Sequence, residues 1–117
     1  MALTTAQTCN SRLVAASATI ASGQTTSAAI EVNGLAVVGI ILPAAMTGTS
    51  LTLQASVDGT NFYTIADSNN TNVTVTYGAS KMIYLNPQIT AGVESIKLVS
   101  GSSEGADRAF TLIMRPV

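Results

Sequence analysis

The chain has 117 residues, enough for one domain with a core of its own and too few for two. Charged residues make up only 9% of it, against ~25% in ordinary soluble domains, while hydrophobic residues reach 47% and the net charge is −1. The five basic residues, Arg12, Lys81, Lys97, Arg108 and Arg115, are scattered, so no cationic cluster displaces counterions from phosphates and a nucleic-acid partner is not expected.

The N-terminal text MALTTAQTCNSRLVAAS lacks a basic region followed by an apolar stretch, so it does not read as a signal peptide. Residues 1–11 are polar, small and aperiodic, an arm that orders only against a neighbour; a sandwich domain follows over 12–117. Cys9 is the single cysteine, which rules out an intramolecular disulfide and suits folding in a reducing cytoplasm.

Strands are expected over 12–20 and 26–32, where branched residues and an apolar bias on one parity outweigh the helix-forming alanines. Asn33-Gly34 between IEV and LAV is a strong hairpin signal, because a type I′ turn needs positive φ at both central residues. The segment LAVVGIIL over 35–42 is apolar on both parities, as expected of a strand covered on both faces or buried by another subunit. Broken by Gly39 and ended by Pro43, it is too short to span a membrane. Met46 in the loop that follows reads as a core plug.

The stretch 51–65, LTLQASVDGTNFYTI, organises the middle of the chain. Leu51, Leu53, Ala55 and Val57 alternate with Thr52, Gln54, Ser56 and Asp58, Asp58-Gly59 turns the chain, and Phe62 and Ile65 anchor the return strand. A polar turn over 66–72 precedes short strands over 73–77 and 81–85, and NPQITAGV over 86–93 holds a helical turn. Strands over 94–100 and 108–114 flank a mobile Gly-Ser loop, with Ile96, Leu98, Phe110, Leu112 and Met114 facing the core. Eight or nine short strands describe an all-β, single antiparallel β-sandwich. A jelly roll fits the strand count best, though an immunoglobulin-like strand order fits the same spacing.

Little here carries chemistry. Without histidine, the usual zinc, copper and nucleophile–base sites lack their ligands and bases. The acids Glu31, Asp58, Asp67, Glu94, Glu104 and Asp107 form no pair in sequence and read as exposed single acids, so no enzyme, no metal and no cofactor is expected. The oxygen-rich runs at 58–61 and 66–70 lack EF-hand spacing and read as turn chemistry. Tyr63, Tyr77 and Tyr84, without tryptophan, make a thin platform for stacking a sugar. Arg108 anchors the preceding loop, crosses a subunit boundary, or stands as a solvated rim charge.

The segments ATIASGQTTSAAIEVNG, VVGIILPAAMTGTSLTLQASVDGTNFYTI and LNPQITAGVESIKLVSGSSEGADRAFTLIMRP carry a resemblance through the order and spacing of the PAA turn, the QASVDGT hairpin and the ADR-led last strand. In these the chain resembles small virion proteins of tailed bacteriophages, of the capsid cement, decoration or head-spike class. The resemblance implies a structural protein on the capsid surface of the virion, made in the bacterial host cytoplasm and bound to the major capsid protein. It implies a homo-oligomer, a trimer before other rings, with room for a further head-spike or fibre protein. Residues 1–12 would face the capsid and the 35–42 strand would lie at the subunit boundary. The alternative is a glycan-binding or spike/fibre-adaptor module on the virion surface.

Overall fold

The structure, a computed structural model, describes residues 13–116; the expected arm and Cys9 lie outside the described residues. Its strands are β1 (Val14–Ile20), β2 (Ile30–Glu31), β3 (Ala36–Ile41), β4 (Ser50–Ser56), β5 (Tyr63–Thr64), β6 (Thr74–Thr76), β7 (Met82–Tyr84), β8 (Ser95–Ser100) and β9 (Arg108–Arg115). A 3-10 turn, Pro87–Ile89, sits between β7 and β8, with Asn86 Oδ1 accepting from Gln88 N. The strands form a four-stranded sheet in the order β1-β9-β3-β7 and a five-stranded sheet in the order β2-β8-β4-β5, with β6 also on β4.

Every pairing is antiparallel, and the pairs nest: β1 with β9, β2 with β8, β3 with β7 and β4 with β6. The chain is thus one long hairpin rolled on itself, its tip at the β4–β6 region. This is jelly-roll order, and it replaces the immunoglobulin-like alternative. The 51–65 stretch holds its central place because it is that tip.

The two inner faces supply the core. Ile20, Ile40, Leu53, Leu98, Phe110 and Leu112 are all fully buried, each contributing about 1.5–3 kcal/mol on leaving water. Their parities in β1, β8 and β9 are those read from the sequence; in β4 Leu51 and Leu53 face inward as read, but Ser56 is buried and Val57, expected on the inward side, is 74% exposed. Met46 is half-buried against this core, and Pro43 follows β3. β3 carries a bulge between Val37 and Gly39 where it meets β9.

Two expectations need correction. Asn33 and Gly34 do take positive φ, +48° and +84°, and Leu35 N bonds Val32 O at 2.8 Å, yet β2 and β3 never pair. Val32 N and Asn33 N bond Glu94 O instead, so the turn hands the chain from one sheet to the other. Phe62 is not a core anchor; it lies half-buried on the outer side of the five-stranded sheet, with Lys97 Nζ 4.3 Å above its ring. The return strand β5 is only two residues long because the loop before it, 57–62, takes up the rest.

Candidate functional site

The outer face of the four-stranded sheet is built in cross-strand rows. One row runs Ala15, Ile113, Gly39, Tyr84, and the next Ser17, Thr111, Ile41, Met82; Thr19 opposite Ala109 begins a third. Their register fixes them on one face because alternate residues of a strand point the same way. None of the ten is charged. Tyr84 is 77% exposed, Met82 57% and Ile41 39%, so a ridge of large apolar side chains stands over β7 and the end of β3. Ala15, Ser17 and Ala109 are the small residues over β1 and β9, beside Thr111 and Ile113, and Leu13 just before β1 is 63% exposed. A Cβ on Gly39 would fall 2.6 Å from Met82 Cε, so this glycine makes room for Met82 to lie along the sheet.

The five-stranded sheet presents a different outer face. Its rows run Thr74, Thr52, Val99, Thr26 and then Thr64, Gln54, Lys97, with Ser56, Ser95 and Glu31 beyond. Hydroxyls, an amide, two charges and the apolar Val99 make it up, with Ser56 and Ser95 themselves buried. Its exposed tyrosine, Tyr63, lies on the opposite sheet from Tyr84, so the two share no platform for a sugar ring. Tyr77 is half-buried and its hydroxyl donates to Pro43 O at 2.8 Å.

One end of the sandwich is closed by a buried carboxylate. Glu104, expected as an exposed acid in a mobile loop, is 1% exposed. Its Oε1 accepts from Thr47 N at 2.8 Å and Arg108 Nε at 2.9 Å; Oε2 accepts from Ser100 Oγ at 2.7 Å and Gly48 N at 3.0 Å. Its backbone is tied as well, through Gly23 N to its carbonyl and its own N–H to Gln24 O. Burial alone would raise this carboxyl's pKa, but the four donors outweigh it and hold it at about 2. The loop over 101–107 is therefore pinned, and Arg108 is its anchor, one of the roles open for it in the sequence. Gly48 is required here by close approach, since a Cβ would collide with Ser100 Oγ.

At the other end, Asn33, Gly34, Val57, Gly92, Val93 and Glu94 line an open concavity of about 410 Å³. Beside it Asp58 organises the 57–62 loop: its Oδ1 accepts from Thr60 N and Asn61 N at 2.9 Å and from Ser56 Oγ at 2.8 Å. The Asn61 and Thr60 N–H groups hold its carboxyl well below the usual carboxylate range. Those bonds use Asp58 for the turn itself, as the sequence implied. Glu94 is the one acid lining the concavity, and its Oε1 accepts from the neighbouring Ser95 Oγ at 3.3 Å. Among the described residues no three His, Cys, Asp or Glu side chains gather to hold a metal, and no helix is long and apolar enough to cross a membrane.

The strand expected at a subunit boundary, 35–42, contains β3. β3 lies between β9 and β7 with both backbone edges paired, and only Ile41 projects far from it. Of the exposed apolar residues beside it, the sequence marks Tyr84 only as part of a thin sugar platform and leaves Met82 unremarked. Their signal was the MIY strand itself, apolar on both parities.

No protein-family model matches the chain, and no curated protein matches it in sequence. A solved structure is similar: the SPBc2 prophage-derived protein YomS, with a TM-score of 0.55 at 10% identity, over 88% of this chain and 94% of that one. At this identity the likeness shows a shared fold over nearly the whole of both chains.

Proposed function

We propose that this protein is a structural component of a tailed-bacteriophage virion, a cement or decoration protein on the capsid surface that stabilises the head through contacts with the major capsid protein and with copies of itself. The observation that carries the reading is the partly apolar outer face of the four-stranded sheet, whose three central rows hold no charge and which Arg115 at the end of β9 borders. Exposed apolar area of this kind on a small domain marks a surface that another protein covers. The shared fold with a prophage-derived protein supports the phage setting, as does the resemblance carried by the PAA, QASVDGT and ADR segments. Cement action needs no reaction centre: many weak contacts, repeated by the symmetry of the shell, add up to mechanical strength. Glu104 is engaged in holding the 101–107 loop, and at the concavity the Glu94 backbone carbonyl takes the Val32 and Asn33 N–H groups.

The test is a protein inventory of purified particles of the phage that encodes the chain, with copy number. A cement role predicts copies on the scale of the capsid subunits. A handful of copies would move the protein to a spike, portal or tail position, and absence from the particle would overturn the proposal.

A further inference from the structure

We propose that Asn33 is a site of self-modification, in which the backbone nitrogen of Gly34 attacks the Asn33 side-chain amide and converts it to a carboxylate, and that the folded turn holds this reaction off until it opens. The inference is independent of the virion reading, and the two stand or fall on separate experiments.

The sequence supplies the reacting pair. Asparagine amides are among the thermolabile groups of a protein, and of the asparagines in this chain only Asn33 is followed by glycine. Attack by the next backbone nitrogen needs an unhindered N–H and a peptide free to rotate, and glycine, lacking a Cβ, gives both. Asn61, Asn70 and Asn72 precede Phe62, Thr71 and Val73, whose side chains crowd that nitrogen, and Asn86 precedes Pro87, which has no N–H. Asn33 and Gly34 are both exposed, and nothing lies within 4 Å of the place a Gly34 Cβ would take, so water reaches the pair.

The step balances with water alone. Gly34 N gives its proton to solvent and bonds to Asn33 Cγ; the Cγ–Nδ2 bond breaks, and Nδ2 takes a proton from solvent and leaves as ammonia. Water then opens the cyclic imide at either of its carbonyls. The product is an aspartate or an isoaspartate at position 33, with one water consumed and one ammonia released.

The fold opposes the attack. The turn sets φ at +48° for Asn33 and +84° for Gly34, and the attacking nitrogen is itself occupied, donating to Val93 O at 3.2 Å. Val32 N and Asn33 N are held by Glu94 O at 2.7 and 2.9 Å, and Leu35 N by Val32 O at 2.8 Å. Bringing Gly34 N onto Cγ means rotating the Asn33–Gly34 peptide, which breaks the bonds to Val93 and from Leu35. The reaction therefore runs through an opened turn, at the rate of the unfolded chain scaled by the fraction of turn that is open. Its product puts a second carboxylate beside Glu94 on the rim of the concavity, where no lining residue is a cation.

Timed incubation of the wild-type protein at mildly alkaline pH, once folded and once in guanidinium chloride, tests the proposal, with mass spectrometry that sequences the fragments. In denaturant Asn33 is expected to convert ahead of Asn61, Asn70 and Asn72, giving both aspartate and isoaspartate. Gly34→Ala, read in the same denaturant so that its folding is immaterial, should slow the conversion about tenfold. In the folded wild type the conversion should run at least about tenfold slower than in denaturant. Equal rates in the folded and unfolded chains would overturn the protective role of the turn. Conversion without isoaspartate, a rate indifferent to Gly34→Ala, or an Asn33 that lags the other asparagines in denaturant would overturn the attack by Gly34 N.

Discussion

The two sheets bury equivalent inner faces and differ on the outside. β4, β6 and β8 alternate, with Leu51, Leu53, Val75, Ile96 and Leu98 inward and Thr52, Gln54, Thr74 and Lys97 outward. That is the pattern of a sheet with one face in water. β3, β7 and β9 put apolar residues on both parities, as Ile40 and Ile41, Met82 and Ile83, and Leu112 and Ile113 show. Such strands belong where both faces are covered, yet the outer one is bare in the monomer. The mismatch between pattern and exposure is the observation on which the proposed contact surface rests.

The largest mutational effect should fall on neither outer face. Glu104→Ala removes a carboxylate with four donors and leaves Arg108, Thr47 N and Gly48 N without their acceptor, which costs about 3 kcal/mol, measurable by urea unfolding. The same group sets an acid limit. Its folded pKa of about 2 lies below its ordinary 4.5, so its contribution is fully present above about pH 4.5 and drains away as pH falls toward 2. A Glu104→Gln protein should lose that acid dependence. If either change altered self-association while the protein stayed folded, the separation between core closure and contact face would fail.

Smaller effects sharpen the contrast between the sheets. Gly34→Ala has open space around it but keeps φ near +84°, so the strain of a left-handed alanine, about 1 kcal/mol, should appear alone in thermal unfolding. Thr111→Lys and Thr52→Lys, each at an outward position, should change monomer stability by no more than about 0.5 kcal/mol. Only the first should change association. The least effect is expected at Lys97→Ala, where loss of the cation over Phe62 weakens the fold by about 0.5 kcal/mol, with self-association unaltered.

Much of the fold was legible because period-two burial leaves its mark on local sequence. The core parities of β1, β8 and β9 and of Leu51 and Leu53 in β4, the Asp58 turn and the helical turn within 86–93 follow from residues within one segment. Strand partners did not, since Asn33-Gly34 fixes a reversal of direction and is silent about which sheet the next strand joins. Glu104 was misread for the same reason. Its partners Thr47 and Gly48 lie 57 and 56 residues away, and no local pattern announces a carboxylate folded inward by distant N–H groups. The proposed contact face was half visible: the two-sided apolar character of 35–42 was plain, while its continuation through Met82, Tyr84 and Ile113 needed the register.

Amide hydrogen exchange, compared between dilute protein and assembled protein, tests most directly that the outer face of the four-stranded sheet is the contact surface. The account predicts slower exchange in β1, β7 and β9 on assembly, with β5 and β6 unchanged. Protection confined to β5, β6 and the 57–62 loop, with β1 and β7 exchanging as in the dilute protein, would contradict it.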